Sequence, residues 1–352
     1  MNVLVKNPPS IALLNEAAMG AARQRQARLT KPPGSLGRLE ELSVQLAGIT
    51  GKELPSFREK AVIVMAGDHG VTQEGVSAYP AEVTRQMVLN FLDGGAAINV
   101  LARHAEARVV VVDMGIASDL PPHPQLIVRK IGYGTANMTR GPAMTWAQAE
   151  DAVAAGLEIM SGLVREGVEL VGTGEMGIGN TTAASAITAV LCGAPVSDVV
   201  GRGTGIDDEG LARKVAAVKQ ALAINEPDPE DPLEVVAKVG GFEIAGLAGV
   251  ILGGAAAGVP VVIDGFITGT AALVAARLDR GAKAYMIASH QSVEIGHRLI
   301  LDELGLSPLL NLELRLGEGT GAALAMHLID AATRALAEMA TFDEAGVSDR
   351  SD

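Results

Sequence analysis

Seven short runs of apolar, mostly β-branched residues recur along the chain, at Ala61–Met65, Arg108–Val112, Leu126–Val128, Val168–Val171, Val261–Ile263, Ala284–Ile287 and Leu310–Leu316. Ala-rich stretches of helical length separate them. Apolar runs alternating with helices predict an α/β fold with a doubly wound, mostly parallel sheet, because a strand covered on both faces needs no polar alternation. The last run differs. Leu310, Leu312, Leu314 and Leu316 alternate with Asn311, Glu313 and Arg315, which predicts a strand with one apolar face. Downstream, Ala322–Ala332 has a helical composition, with Thr320 as its N-cap. Residues 9–50 and 322–340 are helical in pattern without strands. They predict a small helical subdomain made of residues 1–55 with 322–352, beside a large α/β catalytic domain of residues 56–321. Residues 341–352 are polar and predicted to fray.

The segments that follow the apolar runs are polar or acidic and rich in glycine. They are Gly67-Asp68-His69-Gly70, Asp113-Met114-Gly115, Gly172-Thr173-Gly174-Glu175, Asp264-Gly265, Ser289-His290 and Gly317-Glu318-Gly319. In a parallel sheet these segments share the carboxyl edge, where ligands bind. Any one of them can be a routine turn; six together predict a ligand-binding rim. Glu318 is the most informative, a carboxylate between two glycines where the predicted strand meets a helix. Taken alone, a Gly-Glu-Gly segment is equally a tight turn facing water.

Composition narrows the classes. The chain has 352 residues and a net charge of −13, with no basic block, which argues against a nucleic-acid partner. Cys192 is the only cysteine, so an intramolecular disulfide is impossible and a reducing cytoplasmic setting fits. Residues 1–20 lack the basic and apolar regions of a secretory signal. Ile244–Ile263 is uncharged and long enough to suggest a membrane span. Its five glycines and Pro260 point instead to a buried Gly/Ala-rich helix, a turn and a buried strand, hence to no membrane partner.

Several motifs compete for the chemistry. Gly172-x-Gly174-x-x-Gly177 formally matches a dinucleotide fingerprint, with Asp198 at a suitable distance for a ribose. Glu175 inside that loop would oppose a pyrophosphate, whereas Gly177, Ile178, Gly179, Asn180 and Thr181 at a helix start can offer amides to a single phosphate. A purely structural glycine turn is the third possibility. Gly201–Asp208 forms a second glycine loop, and Lys214 follows, either reaching a phosphate or lying exposed on its helix. His290, Glu294 and His297 have i, i+4, i+7 spacing that one helical face can present to a metal; polar residues at a helix start are the plainer alternative. Asp68-His69 can bind substrate, orient a base or simply cap a loop.

Five blocks, in order, resemble a single family: Lys31-Pro32-Pro33-Gly34-Ser35-Leu36-Gly37, Ala66-Gly67-Asp68-His69-Gly70-Val71, Glu175-Met176-Gly177-Ile178-Gly179-Asn180-Thr181-Thr182, Asp264-Gly265-Phe266 and Leu316-Gly317-Glu318-Gly319-Thr320-Gly321. The family is the nicotinate-nucleotide–dimethylbenzimidazole phosphoribosyltransferases of cobalamin assembly. The resemblance implies transfer of the phosphoribosyl group of nicotinate mononucleotide to 5,6-dimethylbenzimidazole by a cytoplasmic homodimer that uses no metal and no cofactor. It places the catalytic base at Glu318 and phosphate contacts along Glu175–Asn180, with Lys214 assisting; the residues themselves add Thr181 to the phosphate turn and Glu175 as an acceptor for ribose hydroxyls. Tyr79, Met87 and Leu316 are the expected walls for the flat base. A nucleotide-dependent oxidoreductase and a nucleotide-sensing regulatory protein are the rival readings.

Overall fold

A computed structural model describes residues 10–203 and 205–348. Residues 1–9 and 349–352, the ends of the expected helical subdomain, lie outside the described residues, as does Thr204 of the second glycine loop. Six parallel strands form one sheet in the order β3-β2-β1-β4-β5-β6. They are β1 (Lys60–Gly67), β2 (Ala107–Gly115), β3 (Leu126–Val128), β4 (Leu170–Met176), β5 (Val261–Ile263) and β6 (Met286–Ala288). The chain winds outward from β1 in one direction and from β4 in the other. The switch point therefore lies between these two central strands, which is where a parallel sheet opens a crevice at its carboxyl edge.

Both faces are covered, as the apolar runs predict. Ala61, Ile63 and Met65 of β1 point into one core, under helices Trp146–Arg165, Asn180–Leu191, Phe242–Ala257 and Phe266–Leu278. Val62, Val64 and Ala66 point into the other, under helices Arg38–Thr50, Glu82–Leu92, Ala97–His104 and Thr320–Glu338. The period of two along one strand thus feeds two cores.

The uncharged stretch becomes helix Phe242–Ala257, a turn and β5. Its glycines let two backbones touch: a Cβ on Gly156 would stand 1.9 Å from the Gly246 carbonyl oxygen, and one on Gly249 2.0 Å from that of Val153. Among the described residues no helix is long and apolar enough to cross a membrane.

The terminal helices meet. Ala18, Ala22, Ala47 and Leu336 pack together, and Arg25 donates to the carbonyls of Leu336 and Ala337 at 2.6 and 2.9 Å, a cation capping a helix carboxyl end. Lys31 of the Lys-Pro-Pro segment is buried against Glu40 at 2.8 Å. Phe342–Ala345 forms a short helix with a capping box from Thr341 and Glu344, so the expected fraying does not begin at residue 341.

Two strand expectations need correction. Leu310–Leu316 is no strand: it makes one bridge, His290 to Leu310, and its backbone tracks residues 291–293 beyond the carboxyl end of β6. Leu312 and Leu316 are exposed and Glu313 has φ of 56°. The alternation had no second sheet face to pack on. Conversely, β4 runs on through Gly172 to Met176, where turn residues had suggested a loop.

Candidate active site

The carboxyl edge gathers the polar segments as the rim reading expects. Asp68, Asp113, Glu175, Asp264, His290 and Glu318 are all buried there. Because Gly172 and Gly174 sit inside β4, they cannot form the pyrophosphate turn of a dinucleotide site, which must follow the strand. Their small size serves another end. A Cβ on Gly174 would lie 2.3 Å from the Glu318 carbonyl oxygen, and one on Gly172 3.0 Å from Ala322 Cβ. The central strand lacks side chains where the Glu318 segment crosses it.

Glu318 itself is held under backbone constraint. Gly317, Glu318 and Gly319 have φ of 83°, 63° and 92°, three consecutive left-handed residues of which the middle one bears a side chain. Such a conformation costs energy for a non-glycine residue and persists where the surroundings over-determine it. The next helix starts at once, with Gly319 rather than Thr320 as the N-cap, while the Thr320 hydroxyl donates to the Gly317 carbonyl at 2.9 Å. Glu318 Oε2 accepts the Ile98 amide at 3.2 Å, at the start of helix Ala97–His104. Burial raises the proton affinity of Glu318 above the ordinary carboxylate range, and the Ile98 amide offsets part of that rise.

Glu175 and Asp264 complete a trio of buried acids. Glu175 Oε2 accepts from Asn180 Nδ2 in a short hydrogen bond. Burial, followed by the charge of Asp264, pushes the Glu175 carboxyl up to about 8 against the opposing Asn180 bond. Asp264 Oδ1 accepts the Ala322 amide at 2.9 Å, tying β5 to the first turn of helix Thr320–Glu338. Burial likewise raises Asp264, to about 7, despite the amides that favour its charged form. Carboxylates packed this closely titrate as a group.

Gly179 is the N-cap of helix Asn180–Leu191, with φ of 94°. Three amides of the turn are used internally: Ile178 donates to Thr84 Oγ1, Asn180 to the Gly177 carbonyl and Thr182 to that of Gly179. The amides of Gly179 and Thr181 have no acceptor among the described residues. Lys214 is fully buried rather than exposed on its helix. Its Nζ donates to Thr181 Oγ1 at 2.8 Å and to the Gly201 carbonyl at 3.2 Å. Burial lowers its proton affinity to about 8, with Glu294 acting in the opposite sense. The turn, the buried cation and the second glycine loop thus come together, an arrangement suited to one anionic group.

Not every expected residue joins this arrangement. His290 and Glu294 precede helix Ile295–Leu304, with Glu294 its N-cap, so the i, i+4, i+7 pattern does not lie on one helical face. His297 Nδ1 accepts the Ser292 amide at 2.9 Å, and burial lowers His290 and His297 to about 4 and 3. No metal-holding group of three or more His, Cys, Asp or Glu occurs among the described residues. Met87 is half-buried on the second core, whereas Tyr79 and Leu316 are exposed.

The sequence reading missed three contributors: the Ile98 amide, the Thr84 hydroxyl and Glu243. Glu243 Oε1 pairs with His69 Nε2 at 2.8 Å. A lone acid at the head of an otherwise apolar helix was the available signal for it.

The chain is similar to known proteins over nearly its whole length. A family model described as phosphoribosyltransferase matches residues 11–347. The nicotinate-nucleotide–dimethylbenzimidazole phosphoribosyltransferase of Chloroflexus aurantiacus is 61% identical over 99% of this chain and 100% of its own. That of Geobacter sulfurreducens is 55% identical over 99% of each chain. The crystal structure of the corresponding enzyme from Thermus thermophilus superposes with a TM-score of 0.91 at 51% identity, covering 96% of this chain and 100% of that one. With the match spanning nearly every described residue, the chain belongs to the nicotinate-nucleotide–dimethylbenzimidazole phosphoribosyltransferase family.

Proposed function

We propose that this protein moves the phosphoribosyl group of nicotinate mononucleotide to 5,6-dimethylbenzimidazole, giving α-ribazole 5′-phosphate and nicotinate for cobalamin biosynthesis. The observation that carries the reading is Glu318, a buried carboxylate of raised proton affinity on the same sheet edge as the glycine turn that starts helix Asn180–Leu191. One benzimidazole nitrogen forms a bond to the anomeric carbon while the glycosidic bond to the pyridinium nitrogen breaks. The bonding pair neutralises that nitrogen, so nicotinate leaves without help from an acid. The benzimidazole proton passes to Glu318, whose elevated pKa suits a general base. Attack opposite the leaving group inverts a β-nucleotide into an α-linked product.

In this reading Glu175 and the Gly177–Thr181 turn face the phosphoribosyl group, with Lys214 anchoring the phosphate, while Tyr79, Met87 and Leu316 border the flat base. A charge-assisted hydrogen bond contributes about 1.5–3 kcal/mol. Lys214→Ala should therefore raise KM for nicotinate mononucleotide by about ten- to a hundredfold and leave that for dimethylbenzimidazole little changed. An unaltered nucleotide KM would remove Lys214 from the site.

A homodimer in the cytoplasm is part of the proposal. Val293, Ile295 and Leu312 are exposed on segments linked by the bond from the Val293 amide to the Leu314 carbonyl, an apolar surface suited to a second copy. Sedimentation of the purified protein as a monomer would reject that assignment. We also propose that residues 1–55 with 322–352 act as one helical unit, for which the Arg25 bonds to the last helix are the support.

Product analysis with nicotinate mononucleotide and dimethylbenzimidazole tests the activity. Formation of α-ribazole 5′-phosphate and nicotinate is expected. Binding without turnover would favour a nucleotide sensor instead.

A further inference from the structure

The Gly177–Asn180 turn rests on a buried pair that the proposed chemistry leaves unused. His69 and Glu243 have side chains only 1% exposed, and their ring–carboxylate contact is 2.8 Å. Burial works against a charged ring, yet the carboxylates of Glu243 and Asp68 raise its proton affinity above the usual histidine range. Glycines make room around the pair from three directions. A Cβ on Gly241 would stand 2.4 Å from His69 Cε1, one on Gly67 2.9 Å from Glu243 Oε2, and one on Gly177 3.3 Å from His69 Nε2. The same Gly177 Cβ would lie 2.4 Å from the Gly67 carbonyl oxygen. Gly179 lies over the His69 Cβ and Thr72 Cγ2, where an added Cβ would meet them at 3.4 and 2.9 Å.

Loop capping does not account for His69. That work falls to Asp68, whose Oδ2 accepts the Ala117 amide at 2.8 Å and whose carbonyl accepts the Thr135 amide at 2.9 Å. The His69 backbone is itself fixed, since its carbonyl accepts both the amide and the hydroxyl of Thr72. Among the described residues the ring has one side-chain hydrogen-bond partner, Glu243, and it lies against Gly241 and against the turn that follows Glu175 at the end of β4 and leads into Asn180.

We propose that His69 is a positioning residue: pinned by Glu243, its ring is the floor under the Gly177–Asn180 turn and sets where that turn meets the phosphoribosyl group. The inference rests on the reading of that turn as the nucleotide site. Glu243 is the positioning partner, and neither residue takes part in the bond changes.

Paired substitutions of Glu243 separate this role from simple stability. Glu243→Ala and Glu243→Gln both remove the buried charge, but only the glutamine keeps an oxygen to hold the ring. Misplacement of a binding group by about 1 Å can cost roughly a hundredfold. Glu243→Ala should raise KM for nicotinate mononucleotide by about 10- to 100-fold with kcat and the dimethylbenzimidazole KM changed far less, the pattern of lost ground-state binding. Glu243→Gln should return the nucleotide KM most of the way. His69→Ala should match Glu243→Ala, and the double variant should be no worse than either, because the two act as a unit. Equal KM values for the alanine and glutamine variants, or a fall in kcat with the nucleotide KM unchanged, would overturn the proposal. Calorimetric titration of the wild-type protein with nicotinate mononucleotide distinguishes the two levels: no binding there overturns the site reading itself, whereas binding with unaffected variants overturns only the positioning role.

Discussion

In the proposed reaction Glu318 acts as the base, and its surroundings suit it to that role. Its two flanking glycines accept left-handed backbone without penalty, so the strain of the turn falls on a single residue whose carboxylate is then directed at the Ile98 amide. That bond occupies Oε2 and leaves Oε1 to receive a proton. Positioned proton transfer contributes about 10²- to 10⁴-fold, so Glu318→Gln should lower kcat by that order while nucleotide binding, measured by titration, persists. Because burial raises the proton affinity of Glu318, the acid limb of the wild-type kcat profile should lie above the ordinary carboxylate range. It should vanish in the glutamine variant. Near-normal turnover by that variant would return attention to Glu175.

The elements matter through where they lack side chains. Strand β4 is central, paired with β1 and β5, and it carries glycine at 172 and 174 where β-branched residues would otherwise strengthen a strand. The missing methyls admit the first turn of helix Thr320–Glu338 and the Glu318 carbonyl. A methyl at Gly174 would collide with backbone, which cannot swing aside as a side chain can. Overpacking of this kind typically costs about 1–3 kcal/mol. Gly174→Ala should therefore lower the free energy of unfolding by that amount, read as a lower urea midpoint, and also reduce kcat by displacing Glu318. Normal kcat in a destabilised Gly174→Ala protein would show that the crossing sets stability alone.

For the molecule as a whole, the buried acids and histidines pull stability in opposite directions along the pH scale. Glu175 and Asp264 have folded-state values of about 8 and 7, above their ordinary 4.5 and 3.8. Their contribution is full below those ordinary values and is lost as pH rises through the folded ones. His290 and His297, lowered from 6.5 to about 4 and 3, contribute above 6.5 and lose that contribution as pH falls. The ligand-free protein should have its highest Tm between these limits. Glu175→Gln, neutral at every pH, should flatten the decline between about pH 5 and 8 in thermal melts. A decline identical to wild type would show that Glu175 is not carrying it.

Much of this organisation was legible from the chain alone. Apolar runs report burial on both faces of a sheet, so they predict parallel strands and intervening helices, and glycine-flanked acids after such runs predict a rim at one edge. Those are local consequences of backbone hydrogen bonding and side-chain size, which sequence carries directly. Three-dimensional packing decided the rest. The Leu310–Leu316 alternation found no sheet to join, and the glycines read as a turn became part of β4. Lys214 turned inward to meet Thr181, and His69 found Glu243, 174 positions away along the chain. Each of these depends on which distant segment comes to lie alongside, a choice made by the sum of many weak contacts over the whole core and not by the pattern of any one stretch.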